Sequence, residues 1–136
     1  KEYRRQRQMC IRDRFTVEER VALLTECCKG IPNVSVESFD GLTVEFAKKR
    51  HASVMVRGLR AVTDFENEIQ LAQTNHALMP GIETMFLATS IKWSYLSSTI
   101  VKEAARYGSD IGKFVTPNVE KAVNEKFDER RRNGKL

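Results

Sequence analysis

No apolar run in these 136 residues approaches the ~20 needed to cross a membrane. The first residues are charged and carry no apolar core, which argues against a secretory signal. Cysteine is scarce: three in all, two of them adjacent (Cys27, Cys28). That number makes no disulfide framework and reads as buried or half-buried thiols of a cytoplasmic protein. Several nucleotide and metal signatures are missing as well. There is no Gly-x-Gly-x-x-Gly, no Walker A loop, no His-Glu-x-x-His and no Cys-x-x-Cys. The two histidines, His51 and His76, stand before a predicted strand and late in a predicted helix, and both read as structural.

A basic nucleic-acid groove is also lacking, although the net charge is +5. Residues 1–14 carry a net charge of +4 and residues 125–136 a net +2, so the body between them is slightly acidic. Cations gathered at two ends do not make a binding face. We expect three segments: a basic arm over 1–14 that is extraneous or disordered, an α/β domain over 15–124, and a basic helix end and tail over 125–136.

The remaining chain is well patterned. Thr16-Val17-Glu18-Glu19 forms a capping box, followed by Val17, Val21, Leu24 and Cys28 at helical spacing and a stop at Lys29-Gly30. Val34-Ser35-Val36-Glu37-Ser38-Phe39 alternates with period two and predicts a strand. A short helix over 42–50 turns Val44, Phe46 and Ala47 inward. A buried strand over 53–57 ends in Arg57-Gly58-Leu59-Arg60. A helix over 64–79 follows, then a buried strand over 83–88, a loop over 89–95, a helix opening at Ser97-Ser98-Thr99, and a last helix begun by Thr116-Pro117. Strands alternating with helices imply a parallel sheet covered on both faces. Three strands are few for such a sheet, so a first strand and its loop are expected to be missing.

Two stretches carry chemistry. A strand that stops at Arg57-Gly58 sets a guanidinium and bare backbone N–H groups at the carboxyl edge, where open α/β sheets bind ligands. Arginine matches phosphate because its planar fork donates parallel hydrogen bonds. The second stretch, Trp93-Ser94-Tyr95-Leu96-Ser97-Ser98-Thr99, leads into a helix whose free N–H groups and positive dipole end favour anions. Together they suit a polyphosphate. The plainer readings are surface ion pairs from Arg57 and Arg60 to Asp64 or Glu68, and simple N-capping by Ser97 or Ser98. Glu68 could accept from a ribose or orient Arg60. Trp93 and Tyr95 could stack on a base or fill the underside of their loop.

Three stretches, Phe15-Thr-Val-Glu-Glu-Arg20, Arg57-Gly-Leu-Arg-Ala-Val-Thr-Asp-Phe-Glu-Asn-Glu68 and Trp93-Ser-Tyr-Leu-Ser-Ser-Thr-Ile-Val-Lys-Glu103, resemble the bacterial phosphopantetheine adenylyltransferases of the nucleotidyltransferase superfamily. The likeness runs from Phe15 to about Val123. It implies a Rossmann-like fold, assembly as a homohexamer and a cytoplasmic place in coenzyme A biosynthesis. It also implies transfer of AMP from ATP, with Mg²⁺, to 4′-phosphopantetheine, giving dephospho-coenzyme A and pyrophosphate. No membrane or nucleic acid is implied as a partner. By position, Arg57 would take the phosphate of phosphopantetheine and Thr43 would line its pantetheine arm. Gly58, Leu59, Arg60 and Glu68 would contact ATP, and Trp93, Ser94, Tyr95, Leu96, Ser97, Ser98 and Thr99 would wrap it. The acceptor phosphate itself attacks, so no protein nucleophile is needed, and catalysis is positioning plus charge stabilisation.

The family's Gly-Thr/Ser-Phe-Asp-Pro strand and its Gly-His helix start do not occur in these residues. Ile11 stands where relatives have a lysine, and Ile91-Lys92 where they often have proline or an acidic residue. No catalytic residue of the family is therefore present. The expectation is a shortened chain with little or no turnover. The rival readings are a nucleotidyltransferase acting on another acceptor, or a non-enzymatic basic-armed module that binds nucleic acid.

Overall fold

The computed structural model describes residues 15–132. The basic arm over 1–14 and the last four residues of the tail lie outside the described residues. The chain divides into two compact units, one formed by Phe39–Leu96 and the other by the segments before and after it.

In the Phe39–Leu96 unit, Gly41 (φ +102°) supplies the left-handed turn that leads into helix α2, Thr43–Lys49; α1 belongs to the other unit. A residue with a Cβ is strained at that φ. Strand β1, Val54–Leu59, pairs in parallel with β2, Glu83–Ala88, in a register that sets Arg57 opposite Phe86. Helix α3, Val62–Leu78, is the crossover between them. Side chains alternate across a sheet, so Met55, Arg57 and Leu59 share a face with Thr84 and Phe86. Helix α3 lies on that face, with the Phe65 and Phe86 rings edge to face at 6.4 Å. The core of the unit is Val44, Ala47 and Ile82, with Ala52, Met55 and Met79 packed around it.

The opposite face carries Val54, Val56, Met85 and Leu87, between 46% and 59% exposed. The β-branched run therefore marks a strand buried on one side, a correction to the expectation of a fully buried one. Parallel strands are commonly covered on both faces; among the described residues the helical layer of this unit lies on the arginine side alone. The alternating segment 34–39 corrects a second expectation. It joins no ladder, and the sheet among the described residues is two-stranded. Alternation decides which face a strand buries, but a strand exists only where a neighbour completes its hydrogen bonds. Phe39 instead stacks on Phe46 at 4.4 Å.

In the other unit, helix α1, Val17–Cys27, opens with the expected capping box: the Glu19 N–H donates to Thr16 Oγ1 (3.2 Å) and the Thr16 N–H to Glu19 Oε2 (2.7 Å). Helix α4 is Ser98–Arg106 and helix α5 is Pro117–Arg132. Val101, Ala105, Ile111, Val123 and Phe127 are buried. Arg131 donates to the Ala105 and Arg106 carbonyls at the end of α4, where helix carbonyls run out of intrahelical partners. Helix α1 is tied to α5 through the Glu19–Lys126 ion pair (2.6 Å) and through Asn118 Nδ2, which donates to the Leu23 carbonyl (3.2 Å). Cys27 meets Thr116. Of the predicted stripe, Val21 and Cys28 are half-buried while Val17 and Leu24 are exposed; the hydrogen bonds to α5 run through the Leu23 carbonyl and the Cys27 thiol.

Phe127 is only 2% exposed, so Phe127→Ala leaves a large cavity in the core of this unit. The substitution is expected to lower stability by about 3–5 kcal/mol, read from denaturant unfolding. A loss below ~1 kcal/mol would show that this cluster does not carry the unit.

Candidate phosphate and nucleotide site

Strand β1 runs two residues further than predicted. Gly58 is paired in register with Leu87, and the Thr89 N–H donates to the Leu59 carbonyl at 2.9 Å. Arg57 and Gly58 are therefore strand residues; Arg57 and Leu59 turn their peptide groups toward β2, and the Gly58 N–H points away from it. The ladder continues because Leu87 and Ala88 extend β2 alongside. Arg57 then projects from the helix-covered face. A Cβ at Gly58 would meet nothing within 4 Å, so packing does not demand glycine there, and the end of the strand stands open.

Asp64 and Glu68 lie one turn apart on α3 and share a ridge. Each meets an arginine. Glu68 accepts from Arg57 Nε at 2.7 Å and from Nη2 at 2.5 Å. Asp64 accepts from Arg60 Nε at 3.0 Å. Both carboxylates thus hold the Nε side of a guanidinium. The sequence reading that Glu68 orients Arg60 is corrected: Glu68 holds Arg57, and Asp64 holds Arg60. The reason is spacing. Arg57 lies within the strand, over the second turn of α3, while Arg60 lies beyond the strand, over the first. Arg60 also donates from Nη1 to the Leu96 carbonyl at 2.7 Å. This bond draws the second expected stretch against the arginine corner, and a backbone acceptor of that kind leaves no mark in a sequence.

The loop before Leu96 is braced by a 3₁₀ turn, Ile91–Trp93. Ser94 Oγ donates to the Ile91 carbonyl at 2.9 Å, and the Leu96 N–H to the Trp93 carbonyl at 3.0 Å. Lys92 sits over the Trp93 ring at 4.7 Å, and Tyr95 is exposed. Ser97 caps α4 by accepting from the Ile100 N–H at 3.3 Å, and Ser98 and Thr99 open its first turn in the other unit. Thr43 is the exposed first residue of α2. Among the described residues no hydrogen bond joins Thr43 to either arginine. His51 holds a left-handed turn (φ +53°) after α2, and His76 faces Glu83 at 3.8 Å. Neither joins the arginine corner.

The hydrogen bonds from Arg57 hold the Glu68 carboxyl below its ordinary range; desolvation and the nearby Asp64 charge work weakly the other way. The same contact raises the Arg57 pKa above its usual value. A carboxyl with a lowered folded pKa adds stability above its unfolded value, and this is lost as pH falls through the folded one.

A family model described as cytidylyltransferase-like matches residues 3–104. The match takes in both chemical stretches and begins ahead of Phe15. It takes in the whole of the Phe39–Leu96 unit. A protein named phosphopantetheine adenylyltransferase, from Lachnoclostridium phytofermentans, is 57% identical over 117 residues, covering 86% of this chain and 72% of that relative. The chain belongs to the phosphopantetheine adenylyltransferase family.

If Arg57 is what depresses the Glu68 carboxyl, Arg57→Met will move its NMR titration midpoint up, toward the ~4.3 of an unperturbed glutamate. A midpoint that stays where it is in the parent protein would show that the fork is not formed in solution.

Proposed function

We propose that this chain binds ATP and 4′-phosphopantetheine at the arginine corner and supports transfer of AMP between them. In that reaction an oxygen of the acceptor phosphate attacks the α-phosphorus of ATP. The bond to the β-phosphate oxygen breaks, pyrophosphate leaves, and dephospho-coenzyme A forms. What supports the reading is the pair of carboxylate-held guanidiniums at the end of a parallel strand, since rigid forks of this kind suit tetrahedral oxyanions. Arg57 takes the acceptor phosphate and Thr43 lines the pantetheine arm. Gly58, Leu59, Arg60 and Glu68, with Trp93, Ser94, Tyr95 and Leu96, form the ATP set of the Phe39–Leu96 unit. In the other unit Ser97, Ser98 and Thr99 are assigned as phosphate donors, and the Ser97 hydroxyl, which already accepts from Ile100, keeps its own hydrogen to donate.

Among the described residues no group of three His, Cys, Asp or Glu side chains is arranged to hold a metal. Asp64 and Glu68, the carboxylates at the corner, are engaged by arginines. These residues do not fit a protein-built Mg²⁺ cage. In this reading the ion arrives with the nucleotide, ligated by its phosphates and water, and no step is assigned to it. No helix among the described residues is long and apolar enough to cross a membrane. We place the reaction in the cytoplasm, in coenzyme A biosynthesis, and the assembled form as a homohexamer.

The family's Gly-His and Thr/Ser-Phe-Asp-Pro elements are not found within the 136 residues. Loss of a preorganised charge-stabilising group costs ~10²–10³ in rate, so binding is expected to outlast turnover. Calorimetry on the 136-residue chain should detect both ligands. Arg57→Ala should weaken phosphopantetheine by roughly 10–100-fold, the worth of a charge-assisted hydrogen-bond pair, while pyrophosphate release stays slow. Equal binding of phosphopantetheine by parent and variant would contradict the assignment, and brisk pyrophosphate release would contradict the expectation of slow turnover.

A further inference from the structure

A guanidinium offers two edges to an oxyanion: Nε with one terminal nitrogen, or the two terminal nitrogens together. Glu68 uses the first edge of Arg57, through Nε and Nη2. Among the described residues Nη1 has no hydrogen-bond partner, and the Arg57 side chain is 46% exposed while that of Glu68 is only 19% exposed. The carboxylate therefore holds the fork from the helix side and leaves its terminal edge toward solvent. Arg60 has the same arrangement with one further step: Asp64 holds its Nε side, and Nη1 has already found an oxygen, the Leu96 carbonyl. What Nη1 of Arg60 does with a carbonyl, Nη1 of Arg57 is placed to do with a ligand oxygen.

We propose that Glu68 is a positioning residue, which clamps the Nε–Nη2 edge of Arg57 and so presents the Nη1 edge to the phosphate of the acceptor. This rests on the reading of Arg57 given above and assigns Glu68 an effect on the acceptor that acts through another side chain. Without the clamp the arginine keeps its charge but must give up the freedom of a long side chain each time it binds, a cost that preorganisation avoids.

Two physical effects of removing Glu68 have opposite signs, which makes the test sharp. By charge alone, Glu68→Gln removes an anion near the phosphate and should tighten binding. By positioning, it should weaken it. The measurement is calorimetric affinity of the whole chain for 4′-phosphopantetheine and for pantetheine, which lacks the phosphate; the ratio isolates the phosphate contact. Glu68→Gln is expected to lower that ratio about tenfold. Glu68→Asp, which keeps the charge and shortens the reach, is expected to lower it as well. In an Arg57→Met background, Glu68→Gln should change nothing, because the contact it serves is gone. An unchanged or larger ratio in Glu68→Gln overturns the proposal. So does an equal loss for both acceptors, which is what a merely structural role would give. A parent chain that does not distinguish the two acceptors overturns the assignment of Arg57 itself, and the clamp with it. A parent that prefers the phosphorylated acceptor, loses that preference in Arg57→Met and keeps it in Glu68→Gln overturns the clamp alone.

Discussion

The grip of two α3 carboxylates on two strand-end arginines is the contact on which the rest of this site depends. A guanidinium on a flexible side chain is a diffuse charge. Held along its Nε edge by a carboxylate, it becomes a fork with a fixed direction. Helix periodicity makes the doubling possible: Asp64 and Glu68 lie one turn apart, and Arg60 and Arg57 are spaced to meet them. The crossover that joins β1 to β2 is therefore also the brace of the strand-end arginines. Surface ion pairs of this kind add little to stability. Their consequence here is geometric.

The same brace reaches the second chemical stretch. Arg60 bonds to the Leu96 carbonyl, and the loop it touches is stiffened by the 3₁₀ turn and by Ser94. A corner that charge composition describes as two positive residues is physically a small network of helix, strand end and loop. In such a network the backbone supplies acceptors, and side-chain carboxylates supply orientation. Nucleotidyl transfer, the chemistry of this family, draws mainly on positioning and on charges held still.

Much of the architecture was legible in the residues. The Thr16–Glu19 box, the helix over Val44 and Ala47, the two strands and the Ser97 cap each follow from a local rule, and each is present. The misreadings have one cause: periodicity records which residues face the same way, and says nothing of what stands opposite. Val34 to Phe39 alternates without a strand beside it. Val54 and Val56 are β-branched on a face that stays exposed. Val17 and Leu24 are apolar at helical spacing, yet both stay exposed. At the site, residue types pointed to phosphate and even to Asp64 and Glu68 as partners. Which carboxylate met which arginine was not legible, because the choice depends on how far β1 runs before the chain turns. That β1 reaches Leu59 is decided by β2 continuing to Ala88, a long-range fact that no local window contains.

The most direct measurement follows the arginine side chains themselves, by NMR of their Nε–H groups in the whole chain as ligands are added. The account predicts that the Arg57 Nε–H is protected from exchange before any ligand, that 4′-phosphopantetheine shifts it, and that ATP shifts Arg60 in preference to Arg57. An Arg57 resonance already in fast exchange, or one indifferent to the phosphorylated acceptor, would contradict it.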